Sequence, residues 1–283
     1  MSQFSALQHE ADGLSAGLPP LMVQADHLAA SVSLGVHGRR RAGIGESFWQ
    51  FRRYASPDSS SDIDWRQSAK SQHIFVRERE WEAAQTVWFW RDASPNMSFK
   101  SASVSKRARA DLLLLALASL LVRGGERVGF AGMEGAPAAS RLALTRIGRA
   151  MFGKAQGILP PQMPFARGNQ LVWFSDFLEE DVFDRMKKLS HQGVEGHLVR
   201  IIDPAEEDFP YSGRTRFEAP DGQSEEIFGR AERVRNSYRA RFTAHGERIA
   251  QAASRLGWTC TAHRTDHAPQ ASLIALHAAI GGV

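Results

Sequence analysis

Apolar positions run without alternation through Thr86–Trp90 and again through Gln170–Phe174. Unbroken runs of strand-favouring residues belong to strands buried on both faces of a parallel sheet. Between them, Ser101 to Val122 is dense in Leu and Ala. This predicts a helix buried over much of its circumference, capped by Ser103 or Ser105 and closed at Gly124-Gly125. Arg127–Gly132 reads as a short strand, and Leu142, Ile147 and Met151 as a helix face stopped by Gly153. Pro160, Pro161 and Pro164 mark a loop. A helix over Glu179–Gln192 and a strand over Val194–Ile202 follow. This β–α–β–(α)–β–α–β order predicts an α/β fold with a Rossmann-like, doubly wound, mainly parallel sheet.

Residues 203–226 break the alternation and predict a hairpin insertion, with strands Thr215–Glu218 and Glu226–Phe228 and the turn at Asp221-Gly222. Ile227, Ala231, Val234, Tyr238, Phe242 and Ile249 then repeat at helical spacing towards Gly257. Arg230, Arg233, Arg235, Arg239 and Arg241 mostly fall off that face, as a solvated face would have them. Strand Trp258–Ala262 and helix Ala271–Ile280 complete the sheet. Ahead of the core, Pro19-Pro20 opens a short amphipathic helix ending near Gly35. Phe48–Tyr54 and His73–Arg79 are strand-like without helix-length spacing, which predicts a small antiparallel lobe. The expected organisation is a helical segment at 1–34, a β-containing extension at 35–84 and an α/β core at 85–283.

Composition narrows the function more than the fold. The 283 residues are 43% hydrophobic and 23% charged, with 35 basic against 31 acidic side chains. A net charge of +4 is too small an excess to imply nucleic acid. Arg39, Arg40 and Arg41 concentrate it locally, as a solvated loop or as a contact for phosphate or a membrane surface. One cysteine, Cys260, excludes an intramolecular disulfide framework and a cysteine-based zinc site. The longest apolar run, Leu112–Val122, is too short to span a bilayer, and Met1–Asp12 has no signal-peptide order. A cytoplasmic protein is the expectation.

The candidate chemistry sits where strands end. Asp92 stops the first buried run and is followed by Ser94 and Asn96; Asp176 stops the second. Two strand-end carboxylates should share one edge of the sheet, where open α/β folds place ligands, and their oxygens suit a hard divalent cation. Ser94 and Asn96 could equally cap the next helix. Asp62 and Asp64, two apart and close to Arg52, Arg53 and Arg66, could do acid–base work or fix a loop by arginine–carboxylate bonds. A metal-dependent hydrolase using Asp62 or Asp64 as base is the alternative function. No glycine-rich phosphate loop, Gly-x-Ser-x-Gly elbow or paired-histidine motif is present.

Several stretches together resemble the DUF58 family: Gly38-Arg-Arg-Arg-Ala-Gly-Ile-Gly-Glu-Ser-Phe, Arg53-Tyr54, Ile63-Asp-Trp-Arg-Gln-Ser-Ala, Asp92-Ala-Ser-Pro-Asn-Met, Phe174-Ser-Asp-Phe, and Tyr238 with His245. The resemblance spans about residues 35–283 and makes Arg53, Tyr54, Asp62, Asp64, Trp65, Arg66, Tyr238 and His245 family-motif positions. It implies a von Willebrand factor A-like core whose metal-ion-dependent adhesion site holds Mg2+ or Mn2+ through an Asp-x-Ser-x-Ser loop, a threonine and a later aspartate. Here Asp92, Ser94 and Asp176 match, Asn96 replaces the second serine, and no matching threonine lies between Arg149 and Pro164. The site is thus a degenerate version. The resemblance also implies a bacterial, chaperone-like adaptor rather than an enzyme, working with a MoxR-type AAA+ ATPase and a client protein.

Overall fold

The computed structural model describes residues 20–32, 48–55, 63–79, 84–153, 157–219, 222 and 224–281. Its elements in chain order are α1 (20–32), β1 (Phe48–Arg53), α2 (Trp65–Ser68), β2 (Phe75–Arg79), β3 (Thr86–Arg91), α3 (Lys106–Arg123), β4 (Arg127–Phe130) and α4 (Arg141–Phe152). They continue with β5 (Gln170–Ser175), α5 (Val182–His191), β6 (Glu195–Ile202), α6 (Pro204–Asp208), β7 (Thr215–Glu218), β8 (Glu225–Phe228), α7 (Arg235–Arg255), β9 (Thr259–Arg264) and α8 (Pro269–Ile280). Residues Met1–His37 and Gln85–Val283 form one compact unit and Gly38–Ala84 another.

The larger unit carries five parallel strands in the order β4-β3-β5-β6-β9. Numbered by their own appearance this is 2-1-3-4-5, so the chain reverses direction across the sheet between β3 and β5. Helices α3 and α4, which follow β3 and β4, pack against each other, and in open α/β sheets ligands bind at the carboxyl end of such a reversal. Strand interiors behave as the apolar runs require: Val87–Arg91, Gln170–Ser175 and Gly196–Ile202 are buried throughout. Alternation assigns the faces. Arg91 reaches Asp111 of α3, whereas Arg200 reaches the carbonyl of Phe242 on α7. His263 of β9 pairs with Ser272 of α8, and α8 packs along α3.

Helix α3 starts where Ser105 Oγ accepts the amide of Ala108 at 3.2 Å, and it ends as Gly125 turns into the left-handed region. Helix α1 lays Ala25, Leu28, Ala29 and Val32 into the core, and its Asp26 accepts Ser119 Oγ of α3 at 2.7 Å. Close packing on the other face makes Gly196 obligatory, because a Cβ there would stand 2.1 Å from the Trp258 ring. That ring is buried and held by its indole N–H on the Val194 carbonyl at 3.0 Å, so it has no room to withdraw. Gly196→Ala is expected to cost about 2–3 kcal/mol and to lower Tm by roughly 5–10 °C. A melting curve matching the parent protein would show that Trp258 moves aside.

Two details differ from the pattern-based expectations. Ile227 and Ala231 share the helical spacing but not the helix: Ile227 lies on β8 and Ala231 in a 3-10 turn, so α7 begins at Arg235. The Arg235 guanidinium fixes that start by donating to the carbonyls of Phe209 and Tyr211. The insertion after β6 opens with α6 before the hairpin, because Asp203 and Glu206 form a reciprocal capping box. The hairpin itself pairs Thr215 with Phe228 and Glu218 with Glu225, with Gly222 at φ 70° in its loop; Asp221 lies outside the described residues.

In the smaller unit β1 and β2 pair antiparallel, and Ile63 bridges Val76. Asp64 is the N-cap of α2, accepting the amide of Gln67 at 2.9 Å.

Candidate functional site

Three successive strands of the sheet each end in an aspartate: Asp92 after β3, Asp176 after β5 and Asp203 after β6. All three are buried. Parallel register brings them to one rim, with Asp92 and Asp176 flanking the reversal point. Asp92 Oδ1 accepts the amide of Ser94 at 2.6 Å, and Oδ2 accepts Ser175 Oγ at 2.6 Å. Burial raises the Asp92 pKa and the nearby Asp176 adds to it, while the bonds from Ser175 and Ser94 oppose the rise. Ser94 precedes a 3-10 turn at Pro95–Ser98 but makes no side-chain cap bond, so the capping alternative is not realised there. Its buried Oγ has no hydrogen-bond partner among the described residues. Asn96, half-buried in the turn, faces an adjoining cavity.

The centre of the rim is a group that the strand-end pattern does not point to. Lys106, the first residue of α3, is 0% exposed. Its Nζ donates to Asp176 Oδ2 at 2.9 Å and to Glu206 Oε1 at 2.5 Å. Burial alone would push the ammonium pKa down, but the carboxylates of Asp176 and Glu206 outweigh it and the pKa is raised. Glu206 uses its other oxygen on the amide of Asp203 at 2.9 Å. Asp203 in turn accepts the backbone amide of Ser101 at 2.8 Å and the Ser101 hydroxyl, which ties the loop after β3 to the loop after β6. The nearest sequence signals for these residues are the Asp-Pro-x-Glu capping pattern and a lysine opening a helix dense in Leu and Ala.

Below the rim, Arg91 Nε donates to Asp111 Oδ1 at 2.8 Å, and its terminal nitrogens bind the carbonyls of Met151 and Asp92 at 2.8 and 3.3 Å. Arg107 caps the other side of the loop by donating to the carbonyls of Ala93 and Ser94.

Phe177 and Phe209 have φ of 58° and 45°, the two non-glycine positive values among the described residues. Left-handed backbone at a bulky residue is costly and persists only where the surroundings impose it. Each lies at the rim, and each is held by α7. His245 Nε2 donates to the Phe177 carbonyl at 2.8 Å, and the Tyr238 ring lies 4.7 Å from that of Phe209. The Tyr238 hydroxyl is pushed up to about 12, by burial first and then by Glu206. Tyr238 and His245 are two turns apart on one helix, which accounts for their pairing in the sequence.

Beside Glu206 opens a cavity of about 640 Å³, lined by Phe209, Tyr211, Phe217, Phe228 and Tyr238 under the hairpin, and by Asn96, Phe99 and Leu178 at the rim. Phe209, Tyr211 and Phe217 interlock at ring distances of 5.0 to 5.7 Å, so this wall is preformed.

The structure therefore brings together Asp92, Ser94, Asn96, Asp176, Tyr238 and His245. Asp64 is engaged as a helix cap rather than poised as a base, Trp65 and Arg66 are exposed, and Tyr54 is 38% exposed. Arg53 is exposed on β1. Asp62 and Arg39, Arg40 and Arg41 lie outside the described residues. Thr145 lies within α4.

A divalent ion held by Asp92, Ser94, Asn96 and Asp176 would need free oxygens there. Ser94 Oγ offers one. Each Asp92 oxygen already accepts one hydrogen bond, and Asp176 accepts the Leu178 amide on Oδ1 and the Lys106 ammonium on Oδ2. The positive charge next to Asp176 is thus supplied by Lys106.

Among the described residues no helix is long and apolar enough to cross a membrane. Two solved structures are similar over most of their length. The conserved hypothetical protein BatB from Bacteroides thetaiotaomicron is 16% identical, with 70% of this chain and 98% of that chain covered and a TM-score of 0.41. An aerotolerance-related membrane protein from Bacteroides fragilis NCTC 9343, carrying multiple mutations to serines, is 17% identical, with coverage of 71% and 100% and a TM-score of 0.41. No curated protein matches. A family model described as "Protein of unknown function DUF58" matches residues 50–248, and the chain belongs to the DUF58 family.

Proposed function

We propose that this protein is a non-catalytic interaction module with a von Willebrand factor A-like core. Its carboxyl rim docks a segment of a partner, either a MoxR-type AAA+ ATPase or that ATPase's client. The observation carrying this reading is the preformed aromatic cavity beside the braced acids at the point where the sheet reverses. Open α/β sheets bind ligands at that position, and apolar pockets with a few convergent polar groups are the usual binding sites. Support also comes from the two strained phenylalanines, since such backbone clusters where binding surfaces are held ready. The family resemblance supplies the kind of partner.

Leu178 is 47% exposed and Phe99 36%, and both lie at the cavity mouth, so they can be changed without disturbing the core. Leu178→Asp and Phe99→Ala are each expected to weaken binding to a purified MoxR-type ATPase at least about tenfold, as truncated contact anchors do, with Tm unchanged. Calorimetric titration of the full chain reads this directly. Full affinity in both variants, or no binding of the unaltered protein to either the ATPase or its client, would sink the proposal.

A further inference from the structure

We infer that the Lys106 ammonium is the resident cation of this rim, gathering Asp176 and Glu206 as a divalent metal gathers carboxylates in adhesion-type sites and making the protein independent of metal. The inference goes beyond the docking proposal and holds whether or not the rim binds a partner.

The geometry is that of an internal counter-ion. Lys106 Nζ lies between Asp176 Oδ2 and Glu206 Oε1 at 2.9 and 2.5 Å, with its side chain 0% exposed. A lysine is almost never fully buried unless paired. Here it joins the loop after β5 to helix α6 after β6, while sitting at the start of the helix that follows β3. A metal in such a site performs the same mechanical task, gathering carboxylates from separate strand ends. What the lysine cannot do is leave a coordination position open, because its charge is sealed from solvent. A partner's carboxylate therefore has no ion to bind at this rim, and recognition falls to the aromatic cavity beside Glu206.

Removing the ammonium should convert the rim into a metal site. Asp176 and Glu206 would each regain an oxygen facing the space left by the ammonium. That is a hard-oxygen donor set suited to Mn2+ or Mg2+. The test is Mn2+ binding by the full chain, read by electron paramagnetic resonance of free Mn2+ and by Tm against a control of equal ionic strength. The unaltered protein is expected to bind no Mn2+ at 1:1 stoichiometry and to keep its Tm. Lys106→Ser is expected to bind one Mn2+ and to gain roughly 5 °C on saturation. Asp176→Asn, added to it, should abolish that binding. If Lys106→Ser does not fold without metal, recovery of its folded state on adding Mn2+ takes the same measurement, and no recovery would overturn the inference. One Mn2+ on the unaltered protein that is lost in Asp92→Asn would overturn the inference, as would a folded lysine-free variant that binds none.

Discussion

Arg91→Met is expected to destabilise the protein by about 3–5 kcal/mol, the cost of breaking a buried ion pair from one side. Arg91 is 1% exposed and Asp111 4%. Their bond joins the central strand to its covering helix at 2.8 Å. Burial drives the Asp111 pKa up, and Arg91 and then Arg107 restrain it. Without Arg91, the carboxyl either stays charged in an apolar layer or takes up a proton. The substitution also orphans the Met151 carbonyl and releases that of Asp92, so damage should reach the rim. Urea unfolding checks the size of the effect. The double variant Arg91→Met, Asp111→Leu should recover most of the loss, because replacing both partners by apolar groups removes the stranded charge. A loss below about 1 kcal/mol in the single variant would mean that the pair is not what fastens α3 to β3.

Acid should weaken the fold through two histidines, by about 3 kcal/mol between pH 6.5 and 5. Burial lowers the pKa of His197 from 6.5 to about 4. His263 also falls to about 4, by burial first, then by the positive neighbours Arg109 and His267, with Asp266 opposing. Each ring bonds a hydroxyl through Nδ1, to Thr259 and Ser272 respectively, and neither Nε2 has a partner among the described residues. The sign follows directly. Below pH 6.5 the unfolded chain protonates these rings while the native state does not, so the unfolded state binds more protons and gains. The stability is complete above pH 6.5 and is lost as the pH falls towards 4, at about 1.4 kcal/mol per pH unit for each ring. The raised pKa values of Asp92, Asp111 and Glu206 act in the opposite sense, because their native forms bind protons that the unfolded forms release. The histidine part is therefore isolated by difference. Replacing both with Gln should flatten the pH dependence by about 3 kcal/mol over that interval, and proton NMR should place both rings near pH 4. Titration of either at its ordinary value would remove its share.

Much of the fold is written locally. The unbroken apolar runs of β3 and β5 mark strands covered on both faces, and the acids that stop them, Asp92 and Asp176, mark the ends. Ser105 and Gly124-Gly125 bound α3 because cap bonds and left-handed glycines involve only near neighbours. The hairpin at Thr215–Phe228 was legible for the same reason. Local periodicity also misleads where two elements share it, as at Ile227, whose helical spacing to Ala231 is overruled by pairing with Arg216 across the hairpin.

The sequence by itself thus determined the strands, the helix caps and the two acids at strand ends, since each depends on residues a few positions apart. Only the tertiary structure decided what those acids hold. Lys106 meets partners 70 and 100 residues away, and the strain at Phe177 is held by His245, 68 residues distant. A parallel sheet gathers such groups by register between strands remote in the chain, and a buried charge acquires its partner only when that register forms.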